Sequence, residues 1–446
     1  MVKKKPTSLL PKRPIDLITE PFARFLRISA ASGIVLLLAT VAALGLANSP
    51  LSAWFLGLWN TTFKVALGPI AAQYSLQYWI NDGLMAVFFF VVGLEVKREL
   101  LLGELRDLRA AVLPVVAALG GMIVPALLYL AVLRGAPGSV GWGIPMATDI
   151  AFVVGCLALL GPRVPHGLRV MLLSLAIADD LGAILIIAFG YSTNLHLAAL
   201  WLGLATILAI WTLVGLGVSN RGIHLALAVF SWACIHESGI HATITGVILG
   251  LVIPAHPKVS DTRLGEIITR TARFMQGEGW QRAPERYDLM RELETASRKS
   301  ISPLERFEHE LHPWVAFGIM PLFALANAGV LVQGSPFGSP VALATMAGLV
   351  LGKPLGVVFF SWLAVRTGLT RLPEGVSWGV LAGGGFLCGI GFTMALFIAA
   401  LALEGGLLDV AKVGVLIGSA ICALLGMVIL HLTLPRHISA GGREGV

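Results

Sequence analysis

The chain has 446 residues, of which 57% are hydrophobic and only 13% are charged, and its mean hydropathy is +0.84. This composition excludes an ordinary soluble domain and predicts an integral membrane protein whose main partner is the lipid bilayer. The formal net charge of +7 would suit a nucleic acid partner. The basic residues are, however, spread along the chain like membrane topology signals, so we expect no nucleic acid binding.

Twelve apolar segments are long enough to cross a bilayer or nearly so, which predicts an all-α membrane protein. The first segment is long enough to stay in the membrane, so we expect no cleavable signal peptide at the basic N-terminus. The seventh and eighth segments are short and weakly separated. The segments lie at about 28–47, 76–96, 110–133, 140–160, 168–191, 197–218, 222–236, 239–254, 313–332, 340–364, 376–402 and 410–434.

The lysines and arginines of the loops indicate the orientation. With twelve spans, nearly all of them fall on one side of the membrane, and the opposite side holds only Lys64, Arg134 and Lys412. Cytoplasmic loops carry the excess of basic residues, so both termini are predicted to be cytoplasmic. The long polar connection 255–312 is then cytoplasmic as well. Its stretch Glu285–Arg298 predicts a surface helix or, alternatively, a regulatory element.

Two groups of three spans, 110–191 and 340–434, each have an interrupted middle span. The loop charges start the first group in the cytoplasm and the second outside, so the groups form an inverted repeat with two broken helices and a site at the midplane. Within a single transmembrane domain, we expect these groups to form the ion-transport core and 28–109 and 197–332 to form the scaffold. The interrupting residues are Gly141, Gly143 and Pro145 in the first group and Gly383, Gly384, Gly385, Gly389 and Gly391 in the second.

Asp179 and Asp180 lie side by side in the middle of one span. A charged side chain at this depth costs about 2.5–3.5 kcal/mol on insertion scales unless it has a partner. Adjacent residues on a helix point about 100° apart, so the two carboxylates cannot face one partner. We therefore expect Asp180 to bind a cation with Asp149, while Asp179 faces Lys353.

Asp149 and Lys353 are further charges inside apolar segments. Asp149 follows Pro145, which favours a helix start or break. Asp149 therefore caps a half-helix, ligates a cation together with Thr148 and freed carbonyls, or does both. Lys353 needs a counter-charge. It forms either a purely structural ion pair with Asp179 or a pair that releases and accepts a proton as ions come and go.

Polar residues near the ends of the spans are less specific. Asp82 opens the second span, where helix capping explains it equally well, and His241 is either a packing residue or proton-linked. At the cytoplasmic end of the second span, the charges at 95–99 indicate an interfacial charge cluster. His309 and His312 open the ninth span, and because histidines titrate near neutral pH they indicate a pH-sensing role or, alternatively, a metal pair. The four cysteines lack metal-ligand spacing and are expected to pack as small apolar residues. The cytoplasmic cluster contains Glu95, Lys97, Arg98, Glu99, Glu308, His309 and His312.

Buried oxygen ligands suit a small hard cation, and protons compete with that cation for the same carboxyls. Such competition becomes antiport if the loaded site alternates between the two faces of the membrane. An intramembrane aspartyl protease also uses buried acids, but its Gly-x-Gly-Asp signature is absent and it has no use for Lys353. A cation channel usually builds rings of acids from symmetric subunits, and a proton/solute symporter requires a larger pocket.

Seven motifs, in order along about residues 15 to 435, resemble the NhaA-type sodium/proton antiporters. Inverted repeats with a midplane site are described for this family itself, so the repeat does not support the resemblance independently. The motifs are NDGLMAVFFFVVGLEVKREL, ATDIAF, LAIADDLGAI, SGIHATITGV, ERFEHELHPW, PLFALANAGV and GKPLG.

The resemblance implies a twelve-helix protein of the bacterial inner membrane with two broken, crossing helices. It implies electrogenic exchange of intracellular Na⁺ or Li⁺ for external protons, with more protons than sodium, activation at alkaline pH, and a role in sodium and pH homeostasis. No cofactor is expected, because the ions are transported. Asp149, Asp179 and Asp180 match the essential aspartates, Thr148 the neighbouring threonine and Lys353 the essential lysine. Asp82 matches the acid at the outer end of the second helix, and the pH-response cluster is matched by Glu95, Arg98, Glu99, Glu308, His309 and His312.

Two features depart from the family pattern. The connection 255–312 looks longer than usual, and Glu305 stands where a basic residue is expected beside Arg306. Both affect the expected pH set-point but not the transport site. Members of the family often dimerise through an outer β-hairpin, and residues 49–74 are the candidate for such a hairpin here.

Overall fold

The structure is a computed structural model that describes residues 29–67, 70–192, 195–218, 220–276, 280, 283–331 and 338–435. The described chain is almost entirely helical, and every apolar segment found in the sequence corresponds to a helix or a pair of helices. In chain order the elements are α1 (Ser29–Ala47), α2 (Ser52–Asn60), β1 (Thr62–Leu67), β2 (Ile70–Ser75), α3 (Leu76–Leu102), α4 (Leu108–Leu133), a 3₁₀ segment (Ser139–Met146), α5 (Ile150–Leu160), α6 (His166–Gly190), α7 (Leu197–Gly215), α8 (Arg221–Glu237), α9 (Thr243–Val252), α10 (Asp261–Gln276), α11 (Ala283–Lys299), α12 (303–327), α13 (Pro340–Arg366), α14 (Trp378–Cys388), α15 (Phe392–Ala402) and α16 (Gly405–Thr433).

If the 3₁₀ segment and α5 are counted as one, seven of the described helices are long and apolar enough to cross a membrane, and two bent helix pairs would raise the number to nine. The bent pairs are α1 with α2, at 114°, and α14 with α15, at 45°. Large apolar side chains such as Leu127, Phe189, Trp211 and Leu424 are exposed on these helices. Exposed apolar surface on this scale marks a face that contacts lipid. The protein is therefore embedded in a membrane.

The strands β1 and β2 form an antiparallel hairpin in which Thr62 pairs with Ser75 and Leu67 with Ile70. The hairpin lies in the stretch 49–74, where the sequence allowed for one, and extends one residue beyond it. The expected all-α fold is thus corrected by a single two-stranded sheet among the described residues.

Glycines allow several helices to approach backbone to backbone. A Cβ atom on Gly120 of α4 would overlap the carbonyl of Gly356 on α13, and a Cβ on Gly356 would overlap the carbonyl of Gly120. Helices α3 and α9 meet in the same way, because a Cβ on Gly246 would overlap the carbonyl of Ala86. Small residues at contacts of this kind are typical of helix packing in membranes. At these contacts any residue larger than glycine would clash with the facing backbone, so the glycines allow the paired helices to lie this close together.

The connection 255–312 is more helical than the sequence analysis predicted. Helix α11 covers the predicted amphipathic stretch, but α10 was not predicted, although its apolar residues recur at helical spacing. The two helices contact each other, with Arg270 lying 3.6 Å from Glu292. The backbone amides of Lys258 and Val259 donate to the Lys299 carbonyl. The two ends of this helical pair therefore lie side by side.

We predict that Gly246→Ala destabilises the protein by about 1–3 kcal/mol, because the added methyl group forces α9 away from the backbone of α3. Gly45→Ala is the matched control, since a Cβ at Gly45 would meet nothing within 4 Å, and its effect should stay within about 0.5 kcal/mol. Thermal unfolding of the purified protein in detergent measures both. Equal melting temperatures for the two variants would contradict the close packing of α3 against α9.

Candidate functional site

Two helix breaks meet in the interior of the protein. The first separates the 3₁₀ segment from α5 at Ala147–Asp149, where the backbone is extended. The second separates α14 from α15 at Gly389–Gly391, which corrects the expectation that Gly383–Gly385 belong to the interruption, since those glycines lie within α14. The amide of Asp149 donates to the Ile390 carbonyl at 2.7 Å. The breaks are therefore joined directly through the backbone.

The carboxylate of Asp149 caps two helices. Its Oδ1 accepts hydrogen bonds from the amides of Ala151 (3.1 Å) and Phe152 (3.3 Å), which cap α5. Its Oδ2 accepts from the amide of Thr393 at 3.1 Å and also from the Thr393 hydroxyl, at the start of α15. Helix N-termini stabilise negative charge, and here two of them surround one carboxylate. Asp149, at 1% exposure, is thereby partnered within the protein.

Asp179 forms an ion pair with Lys353, as the sequence analysis expected, and both side chains are fully buried. The Lys353 ammonium donates to Asp179 Oδ2 at 2.7 Å and also to the Met146 carbonyl, at the end of the 3₁₀ segment. The Thr148 hydroxyl lies 2.8 Å from Asp179 Oδ2 and 2.9 Å from the Cys388 carbonyl, to either of which it can donate. The charges of this pair offset each other where both side chains are shielded from solvent.

Asp180, the next residue of α6, faces a different set of groups. Its nearby charged groups are Asp179, Glu95, Asp149 and Lys353, three of them acidic. Its Oδ1 is buried and makes no hydrogen bond, and Oδ1 of Asp179 is in the same condition. Buried polar atoms without a partner are uncommon in native proteins. A proton or a cation beside Asp180 would supply the partner that the protein does not.

Within the described ranges, no cluster of three or more His, Cys, Asp or Glu side chains has the arrangement of a metal site. A cation at these breaks would therefore draw ligands from fewer carboxylates together with hydroxyl and backbone carbonyl oxygens. Such mixed oxygen sets suit weakly held hard cations.

The predicted cytoplasmic cluster lies near the C-terminal end of α3. Arg98 forms an ion pair with Glu308, and Glu95 lies near both of these charges as well as near Asp180. The Glu99 carboxylate accepts from the Ser174 hydroxyl at 2.9 Å. Glu95 is therefore the acid that links this cluster to the helix breaks.

The histidines of the cluster lie in the second and third turns of α12. His312 lies near Glu308, Arg98 and His309. Burial lowers the pKa of His312 below its usual value, and Glu308 opposes that change. Glu305, where the resemblance led us to expect a basic residue, forms a capping box with Ser302 at the start of this helix.

Asp82 lies far from this cluster, because sixteen residues of α3 separate it from Arg98, or about 24 Å. It does not cap the helix: Ser75 caps it, and Asp82 lies in a π turn at Trp79–Leu84. The Nε2 atom of His241 is 3.4 Å from Asp82 Oδ1. The residues expected to respond to pH thus form two separate groups.

Thr393 and two tyrosines that hold the start of the 3₁₀ segment were not predicted from the sequence. The Tyr129 hydroxyl donates to the Gly138 carbonyl at 2.9 Å, and the Tyr191 hydroxyl donates to the Val140 carbonyl at 3.0 Å. Thr393 follows the second Gly-rich break by two residues, a position where a hydroxyl reaches a helix N-terminus. That spacing was the available signal for Thr393.

We predict that Lys353→Met costs about 3–5 kcal/mol of stability, because it leaves the Asp179 carboxylate buried without a counter-charge. The double variant Lys353→Met/Asp179→Asn should recover most of that loss, since neither charge remains. Denaturant unfolding in detergent at neutral pH gives both values. If the single variant proves no less stable than the double variant, the ion pair does not hold this site together.

The chain was compared with known proteins. The family model described as Na+/H+ antiporter 1 matches residues 23–430. The Na(+)/H(+) antiporter NhaA of Rhodopirellula baltica is 54% identical over 427 residues, which cover 96% of this chain and 97% of the relative. Na(+)/H(+) antiporter NhaA 2 of Acidiphilium cryptum is 52% identical, with 96% and 95% covered. The NhaA of Rhizobium meliloti is 51% identical, with 96% and 99% covered.

These relatives are named as transporters and not as enzymes, and the resemblance found in the motifs is confirmed. With the family model matching nearly the whole chain and relatives at about half identity over their full length, the protein belongs to the NhaA family of Na⁺/H⁺ antiporters.

Proposed function

We propose that this protein is a secondary antiporter of the bacterial inner membrane that exchanges intracellular Na⁺ or Li⁺ for external protons. The exchange is electrogenic, with more protons than sodium, is activated at alkaline pH and serves sodium and pH homeostasis. The observation that carries the proposal is the unpartnered carboxylate oxygen of Asp180 beside the two helix breaks. Family membership supports sodium/proton exchange in general.

The transmembrane arrangement is part of the proposal. Twelve spans put both termini in the cytoplasm, in accord with the distribution of lysines and arginines. The broken helices cross where Asp149 and Ile390 meet, and each belongs to one half of an inverted repeat. The hairpin β1–β2 then lies outside and is the expected contact of a homodimer.

The ion site consists of Asp180, Asp149 and Thr148. In the structure, four hydrogen bonds occupy the acceptor positions of Asp149, which are about four in number for a carboxylate. A cation can therefore bind Asp149 only after one of those donors leaves. The Thr393 hydroxyl is the donor that can rotate away, since the other three are backbone amides. Asp180 needs no such change, so it is the first ligand that an entering cation meets.

Exchange follows from competition for the carboxyls. Protons occupy Asp180 at low pH and exclude the cation, and at higher pH the cation replaces them, so the apparent sodium affinity rises with pH. The Lys353–Asp179 pair takes part by giving up or regaining a proton as the local charge changes. A site that is empty and ionised crosses poorly, because its charges lack partners in a region of low dielectric. Only the loaded forms then alternate between the two faces.

A protease and a channel are the alternative functions. A proteolytic pair needs two acids that share a water molecule, whereas Asp179 is bound to Lys353 and Asp149 to two helix ends. A channel needs a continuous path rather than a site buried among broken helices. Movement of protons on addition of sodium to proteoliposomes separates the three, because a protease gives peptide cleavage without it and a channel gives downhill flux without counter-transport.

We predict that Asp180→Asn and Asp149→Asn each weaken sodium binding at least about tenfold, since each removes a negatively charged oxygen ligand. Asp409→Asn, in an exposed position of α16, is the matched control and should leave the affinity unchanged. Equilibrium binding of sodium to purified protein at alkaline pH measures the effect. Unchanged sodium-driven proton movement in either site variant would falsify the assignment of the ion site.

Removal of the helical pair α10–α11, at about residues 260–300, should shift the pH dependence of exchange and spare transport itself. The two ends of the pair lie side by side, so a short Gly-Ser linker can replace it without strain. The pH profile of exchange in proteoliposomes, with sodium at saturation, is the measurement. Loss of sodium binding in the shortened protein would show that the helical pair belongs to the transport machinery, contrary to the prediction that it affects only the pH dependence.

A further inference from the structure

His236, at the end of α8, lies in an aromatic cluster at the end of the molecule where Asp82 is found. The Tyr78 hydroxyl is 2.9 Å from His236 Nε2, and the Tyr74 hydroxyl of β2 is 3.4 Å from the same nitrogen. The Trp232 ring stacks on His236 with an interplanar angle of 11° and a centroid distance of 5.9 Å. Three elements, the hairpin, α3 and α8, therefore meet around one imidazole.

The contacts of Tyr78 continue beyond His236. The Tyr78 hydroxyl also interacts with the Asp82 carboxylate, one turn further along α3. Asp82 is 3.4 Å from His241 Nε2, and the other ring nitrogen of His241 is 3.0 Å from the Thr243 hydroxyl. The polar groups thus lie in one row, His236–Tyr78–Asp82–His241, which we call the polar row. Among the described residues, the exposed Glu237 is a further charged group near the outer end of the polar row.

The inner end of the polar row approaches the ion site. The His241 ring contacts Phe397 of α15 edge-on, at 5.6 Å between centroids. Phe397 lies one helical turn after Thr393, whose hydroxyl binds Asp149. Each side chain of the polar row can accept a proton at one atom and give one up at another or at the same atom. The polar row therefore runs from an exposed helix end toward the helix that holds the ion-site carboxylate.

We propose that His236 and Tyr78 extend the Asp82–His241 pair into a proton relay that runs from this surface to His241, beside the helix that carries Thr393. This proposal rests on the proposed sodium/proton exchange and names the residues that supply its protons. Protonated His236 gives its Nε2 proton to the Tyr78 oxygen, while Tyr78 gives its own hydroxyl proton to Asp82. His236 is then neutral, Tyr78 is unchanged and Asp82 carries the proton, which passes to His241 Nε2. The opposite direction uses the same steps.

The test uses the full chain in proteoliposomes with the variants His236→Gln and Tyr78→Phe. Tyr74→Phe is the matched control, because its hydroxyl touches the same imidazole nitrogen but is not placed between His236 and Asp82. Sodium-driven proton movement is followed from neutral to alkaline pH with sodium at saturation. Sodium affinity at equilibrium is measured in parallel, and it should stay within about twofold in all three variants, since none of them touches the ion site.

We expect both relay variants to lose roughly tenfold or more of the exchange rate at alkaline pH, where free protons are scarce and a positioned donor matters most. The loss should shrink at neutral pH, and a small imidazole buffer should restore the rate of His236→Gln. The Tyr74→Phe protein should keep the unaltered profile.

Relay variants whose pH profiles coincide with that of the unaltered protein would overturn the proposal. So would an equal loss in Tyr74→Phe, or a loss that is the same at every pH, because either result indicates packing alone. An unaltered protein that moves no protons on addition of sodium would overturn the proposed exchange, and the relay with it.

Discussion

The structure depends on how a few buried carboxylates are neutralised where two helix breaks meet. Asp149 is surrounded by two helix N-termini, and Asp179 is paired with Lys353. Among the described contacts, Asp180 has neither a helix end nor a hydrogen-bonded lysine as its partner, and its Oδ1, like Oδ1 of Asp179, makes no hydrogen bond. This difference among three neighbouring acids matters because a charge without a partner at this depth is costly. Asp149 and Asp179 are thus partnered within the protein, and Asp180 is the acid on which the proposed ion site depends most.

The helices around these acids have to pack closely, because the partners of Asp149 and Asp179 must stay in place for Asp180 to remain the least partnered of the three acids. Close approaches at Gly120 and Gly356 bring α4 against α13, which carries Lys353. A π turn at Gly348–Gly352 comes just before that lysine and belongs to a class of irregularities often found at functional sites. The Tyr129 and Tyr191 hydroxyls fix the 3₁₀ segment that supplies the carbonyl partner of Lys353. The lysine is thus positioned by the close packing of α13 against α4 and by the carbonyl at the end of the 3₁₀ segment.

Much of this could be predicted from the sequence, because a charge within an apolar segment is a strong signal. Asp179, Asp180, Asp149 and Lys353 were found in that way, and opposite charges at one depth indicated the Lys353–Asp179 contact. Thr393 could not be found by the same argument, since it carries no charge and a threonine in an apolar helix is common; its position just after the Gly-rich break was the one signal in the sequence. The ion-binding roles of the four charged residues found in this way remain predictions.

Other features needed the folded chain for different reasons. Helix α10 was missed because the polar composition of its surroundings was given more weight than its helical spacing. Asp82 was read as a possible helix cap, yet the helix starts earlier and Ser75 caps it. The His236–Tyr78 contact joins residues 158 positions apart, and no local pattern announces a pair of that kind.

In the proposed mechanism, a cation and protons compete for the carboxyls at the helix breaks. Calorimetry of sodium binding to the purified protein is the sharpest test of this competition, when it is done on the acidic side of the activity profile in two buffers with different enthalpies of protonation. We expect the measured heats to differ between the buffers, because sodium binding releases protons that the buffer takes up. Sodium binding with identical heats in both buffers, and an affinity that does not change with pH, would contradict it.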